Sequence, residues 1–251
     1  MIRKSVAIAF LVAAATAGIP MAAAAPEPTS RAKLDRIVAM WAAATGGIDR
    51  IRALSTVRMS GKIAFGGDPA DPFTVVVARP GKIRTEVKFP QGVWLQIFDG
   101  QRGWIVSPLS GSADLAPMTE EELRNAPEQA DIEGALVDSA RKGIHLALEG
   151  KETVGGKDAW RIRVTRGNGV VRYLDLDVST SLKVRWEGEL GSGAERKMSA
   201  SEFSDYRTVS GLSFPFRIVS GVVGEPPNQE IVFEKIEVNP AIPESAFEAP
   251  K

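Results

Sequence analysis

The chain has 251 residues, 44% hydrophobic and 25% charged, an ordinary globular mixture able to bury a sizeable core. Basic and acidic residues both total 31, so the basic excess of a nucleic-acid binder is missing and nucleic acid is set aside as a partner. With no cysteine and a single histidine, the chain can form no disulfide, carry no lipid on an N-terminal cysteine and build none of the usual His/Cys zinc clusters.

In chain order, Met1-Ile2-Arg3-Lys4 is a short positive segment, Val6–Ala17 is apolar, and Ala22 to Ala25 offers Ala-x-Ala cleavage sites before Pro26. This pattern predicts a secretory signal peptide over residues 1–25, cut after Ala25 or, failing that, Ala24. The apolar run is short for a transmembrane helix. The expectation is an exported, soluble monomer, periplasmic in a cell with two membranes, folding as one domain over residues 26–251. Leu34, Ile37, Val38, Trp41 and Ala42 recur at helical spacing over Arg31–Thr45, and Gly46-Gly47 stops that helix. Ile48–Leu54 reads as a second short helix and Thr56–Phe65 as the first strand.

Four further strands follow as a meander, Pro72–Arg79, Lys82–Phe89, Gly92–Phe98 and Gly103–Ser107, joined by Pro80-Gly81, Pro90-Gln91-Gly92 and Asp99-Gly100. In the second of these, Ile83, Thr85, Val87 and Phe89 alternate with Lys82, Arg84, Glu86 and Lys88, so one face meets water and the other an apolar interior. Arg79 shares the apolar face with Phe73, Val75 and Val77.

The run Ala78-Arg79-Pro80-Gly81-Lys82-Ile83-Arg84, then Val93–Phe98, Asp99-Gly100-Gln101 and Trp104, resembles the LolA-like superfamily of periplasmic lipoprotein carriers. Asp205-Tyr206-Arg207, Gly211-Leu212, Pro215, Val238-Asn239-Pro240, Ile242-Pro243 and Phe247 extend the likeness over most of the mature chain. The resemblance implies an incomplete, curved antiparallel β-barrel whose concave face is covered by helices and holds acyl chains of a lipid or lipoprotein. It also implies that Arg79, at the Arg-Pro step, latches the lid by hydrogen bonds to the covering segment. The plainer reading of Arg79 is a rim residue that solvates a strand end.

After Ser107 the alternation lapses through Leu109–Pro117. Thr119 and Glu122 form a capping box, with Glu120, Glu121 and Glu122 favoured by the macrodipole, and Pro127 interrupts the helix they open. A further helix is expected over Glu128–Lys142, with Ile132, Leu136, Val137 and Ala140 at helical spacing. Ile132, Leu136 and Val137 are the lid candidates. Strands are then expected over Ile144–Val154, Ala159–Thr165, Val170–Asp177, Leu182–Glu187, Glu195–Tyr206, Leu212–Val219 and Gln229–Val238. In the fourth of these, Leu182, Val184 and Trp186 alternate with Lys183, Arg185 and Glu187, which assigns Lys183 to the polar face. The whole is mainly β, with about a dozen strands in one antiparallel sheet, long enough to curl or close.

Polar chemistry is sparse. No G-x-S-x-G elbow, H-E-x-x-H or P-loop is present, and His145, between Ile144 and Leu146, reads as a structural histidine at a strand start. Asp175 and Asp177 could share a cation, but an exposed strand end entering the Val178–Ser181 turn explains them more simply. Gly191-Ser192-Gly193 reads as a hairpin turn. No catalytic residue, metal or cofactor is expected. The apolar side is better stocked, and Phe73, Val75, Val77, Ile83, Val87, Phe89, Trp94, Trp104, Trp160 and Trp186 are the candidates for a ligand cavity. The expected function is non-enzymatic carriage of a hydrophobic ligand across the periplasm, exchanging with inner- or outer-membrane transport components. An envelope sensor or accessory module that binds a protein on the same concave surface is the alternative.

Overall fold

The alternation read from the sequence becomes one continuous antiparallel sheet of 13 strands in a computed structural model that describes residues 28–108, 114–190 and 196–249. The expected signal peptide, the Gly191–Gly193 turn and the first part of the Leu109–Pro117 stretch lie outside the described residues. Strands β1 (Thr56–Phe65), β2 (Asp71–Ala78), β3 (Lys82–Phe89), β4 (Gly92–Phe98), β5 (Gly103–Val106) and β6 (Leu115–Pro117) run as one meander. Strands β7 (His145–Val154), β8 (Lys157–Thr165), β9 (Val171–Asp177), β10 (Lys183–Leu190), β11 (Lys197–Val209), β12 (Leu212–Val222) and β13 (Gln229–Val238) form a second. Pairing of β1 with β13 joins the two, and β6 and β7 are left as the edges of an incomplete barrel.

Helices α1 (Pro28–Thr45) and α2 (Ile48–Arg52), α3 (Glu120–Gln129) and the segment 130–143 cover one face. Two buried clusters lie beneath them. Phe73, Val75, Val77, Ile83, Val87, Trp94 and Phe98 pack with Ala126, Ala130 and Val137 on the β1–β4 side. Leu34 and Ile37 of α1 pack with Leu146, Ile162, Leu174 and Leu176 on the β7–β9 side. On the opposite face, Val76, Ala78, Leu95 and Ile97 are sealed by Phe247 from the 3-10 turn Glu244–Phe247. β2 and β4 are therefore buried on both faces near these residues, which explains the unbroken apolar run Val75-Val76-Val77-Ala78.

The covering elements depart from the sequence expectation. The capping box forms as expected, with the Glu122 amide donating to Thr119 Oγ1 at 3.2 Å and Glu122 Oε2 accepting from the Thr119 amide at 2.7 Å. The helix it opens then runs through Pro127 to Gln129. The helix expected over Glu128–Lys142 does not form beyond Gln129, and residues 130–143 are a chain of turns. Gly134, Asp138 and Gly143 hold φ of 77°, 50° and 67°, which no α-helix accommodates. Leu136 and Val137 are buried all the same, so burial and not helicity produced their spacing. Strand β6, where alternation lapses, is a three-residue edge strand that the sequence did not announce.

Two glycines allow close backbone approach. Gly61 faces a register shift against β13, and a Cβ there would lie 2.0 Å from the Val232 carbonyl oxygen. Gly46, in the α1–α2 turn, has φ of 121° and would place a Cβ 2.2 Å from the Gly211 carbonyl oxygen in the β11–β12 hairpin. Gly47 has φ of 100° but open space around it. Gly46→Ala is therefore expected to destabilise by roughly 2 kcal/mol or more, and Gly47→Ala by clearly less. Urea unfolding of both variants checks this, and equal losses would show that the contact with Gly211 is not tight.

Candidate ligand cavity

The sheet does not stay fully paired. Strands β12 and β13 pair only over Arg217↔Val232, Ile218↔Ile231, Val219↔Glu230 and Ser220↔Gln229. β12 pairs with β11 from Leu212 to Val222 and β13 with β1 from Gln229 to Val238, so β12 and β13 part from each other beyond those four pairs. Beside this splay, under α1, α2 and the segment 130–143, lies a cavity of about 420 Å³. That volume falls within the range of roughly 300–1,000 Å³ typical of small-molecule sites. Trp41 of α1, Ile51 of α2, Trp186 of β10, Phe203 of β11, and Phe214 and Ile218 of β12 supply much of the apolar wall.

Of the residues singled out in the sequence, Trp186 lines the cavity, and so do Ile132 and Leu136 from the cover. Phe73, Val75, Val77, Ile83, Val87 and Trp94 lie in the packed cluster beside it, and the lid candidate Val137 packs there with them. Phe89 sits at the margin of that cluster, its ring centroid 6.1 Å from that of Phe65. Trp104 is on the opposite face, against the cluster of Val76 and Ile97. Trp160 packs toward α1, with Lys33 Nζ 4.2 Å from its ring centroid. Thus most of the meander candidates face a filled core, and the open space lies on the other half of the sheet.

Arg79 stands at the end of β2 and reaches the cover. Its Nε donates to the Leu54 carbonyl at 2.5 Å and Nη2 to the Arg52 carbonyl at 2.9 Å, two carbonyls at the C-terminal end of α2, and Nη2 also donates to the Glu133 carboxylate. Lys142 pairs with Glu133 at 3.3 Å and with Asp131 at 2.5 Å. Arg52 ties α2 to Asp138 at 2.6 Å. Burial of the Glu133 carboxyl works to raise its pKa, but hydrogen bonds from Arg79 and Lys142 and their positive charge outweigh it and hold the group below its ordinary value.

Glu128, at the end of α3, anchors the other side of the cover. Its Oε1 accepts from Trp186 Nε1 at 2.9 Å and Arg172 Nε at 3.3 Å, and Arg166 lies 3.5 Å from Oε2. Arg172 is only 1% exposed, and a guanidinium buried so deeply needs such partners. It also donates to Asn125 Oδ1 at 3.1 Å. Within the cavity the Ser201 and Ser220 hydroxyls bond each other at 2.8 Å, while the buried Gln229 Oε1 has no hydrogen-bond partner among the described residues. Tyr206 donates to the Lys183 carbonyl at 2.5 Å, and burial pushes its phenol well above the ordinary value.

Lys183 corrects the sequence reading. A register shift between Lys183 and Arg185 breaks the alternation at the start of β10, and Lys183 lines the cavity instead of joining Arg185 on the polar face. Its ammonium lies 3.8 Å from the centroid of the Phe203 ring, and desolvation lowers its pKa to about 8.

The paired aspartates have other occupations. Asp175, fully buried, pairs with Arg161 at 3.0 Å and Arg185 at 2.8 Å. Asp177 is buried too, so it is not the exposed strand end expected, and its Oδ1 caps the turn by accepting from the Ser179 and Thr180 amides at 2.8 and 2.7 Å. Among the described residues no group of three or more His, Cys, Asp or Glu is placed to hold a metal. His145 is exposed at the start of the edge strand β7.

No protein-family model matches the chain, and no curated protein matches it in sequence. Solved structures do match it in shape. A DUF1329 family protein from Desulfovibrio piger superposes with a TM-score of 0.57 at 12% identity, covering 85% of this chain and 96% of that one. A Vibrio parahaemolyticus domain named for outer membrane lipoprotein sorting gives 0.56 at 10% identity, over 84% and 94% of the two chains. A LolA superfamily protein from Nitrosomonas europaea gives 0.53 at 12% identity, over 85% and 97%.

The Glu133 contacts carry a pH prediction. A carboxyl held below its unfolded value contributes stability that is fully present above that value and is lost as pH falls through the folded pKa. Protection of the amides of residues 130–143, relative to their intrinsic exchange rates, should therefore fall as pH drops below about 4, and Glu133→Gln should flatten that dependence. Arg79→Leu should cost about 2 kcal/mol or more, because the buried Glu133 and Leu54 lose a charged donor. Exchange in 130–143 that tracks only global unfolding would contradict a local clasp. By its superposition on these solved structures, this chain has a LolA-like fold.

Proposed function

We propose that the protein is an exported, non-enzymatic carrier that shelters a hydrophobic ligand, a lipid or the acyl chain of a lipidated protein, in the cavity beneath segment 130–143. The observation that carries this reading is the cavity itself: about 420 Å³ of mainly apolar space left open where the sheet splays between β12 and β13. An ordinary core would collapse such a space, since each buried methylene contributes about 0.8 kcal/mol. The LolA-like fold and the lipoprotein-sorting name of one structural neighbour are consistent with it. In this reading Arg79 is the latch: loading requires the cover to lift, and its three acceptors set the cost of lifting. No helix among the described residues is long and apolar enough to cross a membrane.

Filling the space tests the proposal. Ile218→Trp places extra volume in the cavity wall, whereas Phe89→Leu alters the margin of the packed cluster outside it. Binding of a fluorescent fatty-acid probe should fall by about tenfold or more for Ile218→Trp, the equivalent of about 1.4 kcal/mol, and stay near wild type for Phe89→Leu. Absence of probe binding to the wild-type protein, together with no lipid on extraction of the purified protein, would refute the carrier reading. With Arg79→Leu, probe release should accelerate, and unchanged release would remove the latch.

A further inference from the structure

We propose that Lys183 is the headgroup-binding residue of this cavity and that the ligand it takes is an anionic amphiphile, an acyl chain ending in a carboxylate or phosphate. The assignment rests on the carrier reading and narrows its ligand class. It starts from a count of charges facing the cavity. Glu128, Asp131, Glu133 and Arg166 line it along with Lys183. Glu128 is held by Arg172 and Arg166, Asp131 by Lys142, and Glu133 by Arg79 and Lys142. Lys183 differs: among the described residues no carboxylate forms an ion pair with it, and Glu128 is the one acid whose charge bears on it.

The placement of this lysine is built into the strand. Regular alternation would have put Lys183 on the outer face with Arg185, where Asp175 and Glu187 already gather cations. The bulge at the start of β10 turns it inward instead. There its ammonium stacks on Phe203, a ring that partly offsets lost hydration without neutralising the charge. A desolvated ammonium is costly unless something negative meets it, which agrees with its pKa being lowered to about 8. A ligand with an apolar chain and one anionic end satisfies both parts of the site: the chain takes the aromatic wall, and the head meets Lys183 in a charge-assisted hydrogen bond.

The test compares cis-parinaric acid with its methyl ester, which share the chain and differ in the charge. Wild-type protein should bind the acid about tenfold or more tightly than the ester. Lys183→Met keeps the apolar stem and should bind the two alike, with ester affinity retained and a melting temperature no lower than wild type, because a desolvated charge has been removed. Inorganic phosphate at matched concentration should not displace cis-parinarate. Equal binding of acid and ester by the wild type, or a preference that survives in Lys183→Met, would overturn the assignment while leaving the carrier reading in place. Displacement by inorganic phosphate would overturn the amphiphile in favour of a free anion. If neither acid nor ester binds the wild type, this assignment falls, and the carrier reading falls with it when extraction of the purified protein also yields no lipid.

Discussion

The contact on which the rest depends is the guanidinium of Arg79 against the end of α2 and the carboxylate of Glu133. A strand end, a helix end and a stretch of turns have no shared backbone ladder to hold them together. Arginine solves this because its planar fork offers several donors in fixed directions. The Glu133 carboxylate, almost fully buried, is met by Arg79 from the sheet and by Lys142 from the cover itself. Asn239 reinforces the same corner, since its Oδ1 accepts from the Ser55 amide at 2.8 Å and its Nδ2 donates to the Ala53 carbonyl at 3.2 Å. The Arg-Pro step and the Val238-Asn239-Pro240 run thus act on one locus although 160 residues separate them in the chain.

With the cover pinned at that corner, the shape of the sheet decides where space remains. On the β1–β4 side the pairings are long and the facing side chains are large, so α3 and Val137 close directly onto them. On the other side, four residue pairs are all that join β12 to β13, and Gly46 seats the α1–α2 turn on the β11–β12 hairpin. Trp41 and Ile51 then face the gap without filling it. Packing and open space coexist in one sheet because β12 and β13 part beyond those four pairs while each stays paired with its other neighbour.

Much of this architecture was legible in the residues. Strands β1, β3 and β4 begin and end where turn chemistry and alternation placed them, and the Thr119–Glu122 box caps α3. What escaped was nonlocal or irregular. The spacing of Ile132, Leu136 and Val137 imitates a helix, yet positive φ at Gly134 and Asp138 turns the chain instead. Period-two alternation identified Phe73, Val75 and Val77 as inward-facing, but it cannot tell whether the layer opposite touches them. Phe203, Phe214 and Ile218 carry the same kind of signal and face open space, a difference set by the β12–β13 splay. Lys183 was read on the wrong face because one bulge inverts parity.

The fold, the clasp and the splay together describe a space walled by aromatic side chains and Lys183, under a cover clasped by Arg79. Most directly decisive is a crystal structure of the protein with a bromine-labelled fatty acid, located by the anomalous signal of bromine. The account predicts the chain between Trp41, Trp186 and Phe203, with its carboxylate at Lys183. Bromine on the outer face near Trp104, or a cavity that stays empty while acid binds elsewhere, would contradict it.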